Sequence, residues 1–180
     1  MEGDLRDSNN ELKDFSRDKN IVEIERRGET YQSQITELDI IKDGVDRKIN
    51  YYNTLSGYLR NSSDYSKLPA PSVAGIEDPN ILKNVSDLIT LSVRRSEMAY
   101  SVKSELMFDN IDNEISAVKK VLLENISAAK AAIQFESSQV RNKMSQAESN
   151  IRQLPEDSQN YLKIMRKFNL SNSVIDAFLQ

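Results

Sequence analysis

Proton transfer and nucleophilic attack in proteins are usually carried by histidine, cysteine and carboxylates tuned by their neighbours. This chain contains no histidine and no cysteine. Its carboxylate pairs, such as Glu23/Glu25 and Asp109/Asp112, have no partner type beside them that would tune one member into a proton donor, so they read as solvated helix faces. Thiolate metal sites and disulfides are excluded, the commonest metal ligand is missing, and no Gly-rich stretch resembles a phosphate cradle. The chain is therefore expected to hold no catalytic residue, no cofactor and no metal, and to be no enzyme in itself. Tyr51, Tyr52 and Tyr58 have the ring chemistry to stack on sugars, but Tyr52 falls on an apolar seam and clustered helical tyrosines are usually packing. The Asn-x-Ser patterns at Asn61, Asn84, Asn125 and Asn169 mostly fall on helices and carry no function here.

The elements that would position any site are helical. A length of 180 residues suits one domain over 1–180, and 29% charged residues with only 5 glycines and 4 prolines favour long helices over a compact mixed fold. The net charge of −4 argues against a nucleic-acid surface, and the basic pairs Arg26-Arg27, Arg94-Arg95 and Lys119-Lys120 are scattered among acids. No run approaches the roughly 20 apolar residues of a membrane span, and the start MEGDLRDSNN has no signal-peptide core. Because VIDAFLQ stops in mid-pattern, the chain is expected to be a soluble piece of a larger protein.

Apolar residues seven apart, at Ile24, Tyr31, Leu38, Val45, Tyr52 and Leu59, predict a coiled-coil helix over about 21–61, preceded by a short separate helix over about 8–18 that loosens around Asp18–Asn20. Ile35, Ile49, Ile41 and Leu55 widen that seam toward a hairpin or small bundle. A Pro-rich loop over 62–78 follows. It ends at a marked helix start, where Asp78 can accept from the first free N–H groups and Pro79 has the backbone angle of a first turn. Helices are then predicted over about 79–104, about 108–153 and about 155–180, with a tip at 103–109 and one extra step of four in the third helix between Val118 and Ile126. At ~1.5 Å per residue the first two long helices sum to about 100 Å and the last two to about 110 Å. Equal arms predict an all-α, elongated antiparallel helical hairpin of about four helices, with the first two helices climbing in succession; the alternative is a second helix folded back beside the first.

In IRQLPEDSQNYLKIMRKFNL (151–170), Pro155 interrupts a helical pattern that restarts at once. Proline has no N–H and clashes with the preceding turn, so the arriving helix must kink or end. It is well suited to open the next one, where Glu156 and Asp157 meet the positive end of the dipole. Beyond this joint Lys163 and Arg166 lie one turn apart and are candidates for contact with an acidic face of an adjacent subunit, the plainer alternative being an exposed helix face. The apolar residues there, including Leu162, Met165, Phe168 and Leu170, are expected to face a different partner from Ile151 and Leu154.

The segment DYSKLPAPSVAGIEDPNILKNVSDLITLSVRRSEMAYSVKSE, followed by DNIDNEISAVKKVLLENI and then IRQLPEDSQNYLKIMRKFNLSNSVIDAFLQ, resembles the extracytoplasmic region of bacterial chain-length determinant proteins, the polysaccharide copolymerases. The likeness is greatest to the branch fused to a cytoplasmic tyrosine kinase that serves capsule or exopolysaccharide export. It lies in the order of parts from about Asn20 to Gln180: a proline-rich loop, an EDP helix start, a DNxI start and an LP joint before a final LQ. Two departures are Leu106-Met107-Phe108, where the family commonly has an Asn-Pro break, and Ile175, where it has a tyrosine. The resemblance implies a fragment at the periplasmic face of the inner membrane, with two transmembrane helices and a kinase outside this chain. It further implies a homo-oligomer working with polysaccharide and export machinery. The competing reading is a coiled-coil adaptor hairpin whose tip docks onto an outer-membrane channel. Flanking sequence separates the two: membrane helices with a nucleotide-binding domain, or a lipoyl and barrel pair.

Overall fold

The computed structural model describes residues 2–101, 104–156, 159, 160 and 163, with side chains from Ile21 onward. The fold is all-α. Helix α1 spans Glu2–Asn61, α2 Pro79–Ser101 and α3 Glu105–Arg152, and the α1–α2 connection contains a 3₁₀ turn at Pro71–Ala74. No strand occurs among the described residues. Contacts along the chain resolve the length-based expectation of one domain into two compact units, residues 42–139, and residues 1–41 with 140–180.

Two expected boundaries are corrected. The separate helix over 8–18 does not exist, because α1 passes through Asp18–Asn20 without a break. Those residues include no proline or glycine, and Asp and Asn cost only a few tenths of a kcal/mol each in a helix interior. The tip expected over 103–109 is largely helical, since α3 starts at Glu105. The Ser104 carbonyl accepts from Met107 N (3.2 Å) and Phe108 N (3.5 Å), and Glu105 places negative charge at the positive end of the dipole. The loop expected over 62–78 is found between α1 and α2. Its 3₁₀ turn closes on Gly75, whose φ of 70° is the left-handed region that glycine enters without a Cβ clash.

Within residues 42–139 the loop decides where α2 lies. Tyr51 Oη donates to Pro69 O at 2.8 Å, and a Cβ added to Gly75 would stand 4.0 Å from Lys48 Cε. The loop therefore folds back along α1, so α2 does not begin beyond the end of α1 as an end-to-end climb requires. It begins beside Tyr52, whose phenol is raised above its ordinary pKa by burial and then by the nearby Asp78 charge. Ser92, thirteen residues on, reaches Tyr65 just past the end of α1, so α2 runs in the direction of α1. Helix α3 returns antiparallel to α2: Arg95 pairs with Asp112, and Lys119 Nζ sits 5.6 Å from the Tyr65 ring centroid.

One apolar cluster joins these pieces, with Leu55, Leu59, Ile81, Leu88, Leu122 and Ile126 all at 1% exposure or less. Burial of each such side chain contributes about 1.5–3 kcal/mol. The shielded positions of α3 are Ile111, Ile115, Val118, Leu122, Ile126, Ala129, Ile133, Ser137, Val140, Met144 and Ala147. Steps of four, three and four recur, so the extra step expected only near Val118–Ile126 is part of an eleven-residue repeat. That repeat, at 3.67 residues per turn, opposes the left-handed supercoil of a strict heptad.

In the other unit α1 and α3 also run antiparallel. Gln32 and Ile35 line one groove with Glu148, Ile151 and Arg152, while Leu38 and Ile41 line another with Lys143 and Ala147. Gly28, Gln32, Ile35 and Ala147 are its buried residues on the two helices, together with Val140.

Candidate interaction surfaces

Asp78 and Pro79 form the start of α2. Asp78 Oδ1 accepts from Asn80 N at 2.9 Å and Ile81 N at 3.3 Å, and the Asp78 carbonyl accepts from Leu82 N at 3.0 Å. This places Asp78 at the N-cap and Pro79 at the first helical position, where its missing N–H has no partner to lose. The role of the pair is to aim α2.

At the other proline, α3 ends at Arg152 and Leu154 N donates to Ile151 O (2.9 Å) in a tight turn. Pro155 O accepts from Gln159 N at 3.1 Å, and Glu156 is helical, so Pro155 is the residue just before the next helix rather than its first residue. Gln159 closes the joint. Its Nε2 donates to Arg152 O at 3.0 Å and Leu154 O at 2.6 Å, which satisfies carbonyls that the end of α3 leaves open. Sequence reasoning missed Gln159, although an amide one turn past the proline is the signal that it can reach back. Lys163 is exposed and lines the groove formed with Gln32, Ile35, Glu148, Ile151, Arg152 and Gln159. Arg166, Phe168 and Leu170, with Leu162 and Met165, lie outside the described residues.

The tyrosines are mostly structural. Tyr51 and Tyr52 are buried and meet edge to face with ring centroids 5.9 Å apart, so neither offers a face to a sugar. Burial, and then the neighbouring Tyr52, push the Tyr51 phenol well above its ordinary pKa. Tyr58 packs, half-buried, against the same cluster. A polar clamp fixes the loop. Ser92 Oγ accepts from Tyr65 N and donates to Asp64 Oδ1, each at 2.9 Å, and Asp64 Oδ1 also accepts from Ser66 N at 2.9 Å. The Ser66 amide first, then the Ser66 and Ser92 hydroxyls, hold the Asp64 carboxyl below the usual carboxylate range.

Two apolar surfaces in residues 42–139 remain uncovered. At the α2–α3 turn Tyr100, Leu106 and Met107 are exposed by 94%, 70% and 48%. On α3, exposed Val121, Ala128 and Phe135 recur every seven residues, with exposed Ala132 between them, and Phe135 is 67% exposed. This stripe is separate from the shielded face that begins at Ile111. The Arg95–Asp112 pair beside the turn lowers the Asp112 carboxyl through the Arg95 hydrogen bond, and the Arg95 guanidinium sits 5.5 Å from the Phe108 ring centroid.

No protein-family model, curated protein or solved structure matches the chain. Among the described residues no group of acidic side chains could hold a metal ion, and no helix is long and apolar enough to cross a membrane.

Proposed function

We propose that the chain is a non-catalytic oligomerisation and scaffold region of a membrane-anchored protein that controls the chain length and export of capsular polysaccharide or exopolysaccharide. In this reading it is an elongated helical hairpin at the periplasmic face of the inner membrane, carried by two transmembrane helices outside residues 1–180. The order of the proline-rich loop, the Asp78-Pro79 start and the Pro155 joint supports the polysaccharide copolymerase resemblance. The observation that carries the assembly role is the exposed Val121, Ala128, Phe135 stripe. A heptad of small and aromatic residues on the outside of a finished core is the pattern of a helix awaiting a partner helix. The Pro155 joint, braced by Gln159, then lets the descending arm change direction where subunits meet near the membrane.

The test is Phe135→Glu in the full-length protein in its membrane. Phe135 lies outside the core, so helix content should be unchanged, while the assembly should become smaller and the polymer length distribution should shift. Normal assembly and normal polymer length would overturn the proposal. The exposed Tyr100, Leu106 and Met107 at the turn favour one competitor, an adaptor hairpin docking by its tip onto an outer-membrane channel. Flanking sequence encoding a lipoyl and barrel pair would decide for that competitor.

A further inference from the structure

In the unit of residues 42–139, α1 and α3 flank a groove of about 480 Å³ whose two charged lining residues are both cations, Arg60 and Lys130. Neither makes an ion pair among the described residues, although the chain as a whole is acidic and pairs Arg26, Lys42, Lys83 and Arg95 with carboxylates. Around the cations stand Asn53 and Gln134, whose amides both donate and accept, and the hydroxyls of Ser56 and Ser127. No aromatic residue lines the groove, so the ring stacking that holds neutral sugars is not available there. Gly57 lines the groove beside open space, since a Cβ added there meets nothing within 4 Å. Positive charge surrounded by groups of both hydrogen-bonding polarities fits a ligand that carries carboxylates on a hydroxyl-rich body.

We propose that this groove binds an acidic saccharide, with Arg60 and Lys130 meeting its carboxylates and Asn53, Ser127 and Gln134 its hydroxyls. Arg60 has the planar fork that matches a carboxylate, while Lys130 supplies a compact charge. The source of the ligand, a polymer in export, rests on the function proposed above, but the binding itself does not.

The test is calorimetric titration of the 180-residue chain with tetragalacturonate, and in parallel with neutral maltotetraose and tetraglutamate. Saturable binding of tetragalacturonate is expected, weakening as salt is added, with no binding of maltotetraose and weaker binding of tetraglutamate. Arg60→Gln and Lys130→Gln should each lower affinity about tenfold, in the range expected for a lost charge-assisted hydrogen bond. Gly57→Leu should abolish binding by filling the groove while leaving the helix at least as stable, because leucine is the better helix former. Absence of binding, equal binding of maltotetraose, tighter binding of tetraglutamate, or full affinity in Gly57→Leu would each overturn the proposal. Failure of the function proposed above is recognised separately, by normal assembly and polymer length in Phe135→Glu.

Discussion

Replacing Ser92 with alanine isolates the clamp that ties the loop to α2. Ser92 is 4% exposed and Tyr65 is 3% exposed, so the Tyr65 N–H that now meets Ser92 Oγ would be stranded away from water. A stranded buried donor costs about 1–3 kcal/mol. The second bond, to Asp64 Oδ1, ends on an exposed carboxylate that keeps the Ser66 amide, so its loss adds little. Alanine returns about 0.5 kcal/mol through helix propensity. The net expectation is a destabilisation of about 0.5–2.5 kcal/mol, read from urea unfolding followed by circular dichroism. Ser86→Ala, on the exposed face of the same helix, is the control and should be neutral or slightly stabilising. A Ser92→Ala chain as stable as the Ser86→Ala chain would refute the reasoning, because it would mean that the loop needs no partner from α2.

Two further outcomes follow from the joint and from Asp64. Pro155→Ala should change fragment stability by less than about 1 kcal/mol, since alanine is a good helix former, yet should disturb assembly of the full-length protein by letting α3 run on; a large loss in thermal melting with normal assembly would show that the proline serves local folding. Asp64 has a folded pKa below its unfolded value, so its contribution is complete above about pH 4 and is lost as pH falls through the folded value; thermal melting of Asp64→Asn should accordingly lose less stability than the parent chain on acidification from neutral pH.

Much of the fold could be read in the residues because strong local signals mark it. Asp78-Pro79 announces α2 through cap chemistry, and Pro155 announces the end of α3 by removing a donor. The misplaced boundaries have weak signals: Asp18–Asn20 lowers helix propensity without breaking the chain, and Leu106-Met107 reads as an apolar tip although both residues are good helix formers. The path of the loop was illegible, because it depends on bonds between residues far apart in sequence, Tyr51 to Pro69 and Tyr65 to Ser92. Seam positions occupied by Gln32, Ser92 and Ser137 were invisible to an apolar pattern, although all three are buried. The candidate surfaces were the least legible. Val121 and Phe135 stand out only once the shielded face of α3 is placed elsewhere, and the groove of Arg60 and Lys130 needs two helices side by side.

The proposed assembly requires that the outer face of α3 meet another copy of the chain. The absence of cysteine makes a single introduced thiol the only one within residues 1–180. The decisive measurement is oxidative cross-linking of an Ala128→Cys variant of the full-length protein in its membrane, with any cysteines outside this chain replaced, against Thr54→Cys on an exposed position of α1. Covalent dimers are expected with Ala128→Cys and none with Thr54→Cys. Monomer alone with Ala128→Cys, or equal cross-linking at both positions, would contradict it.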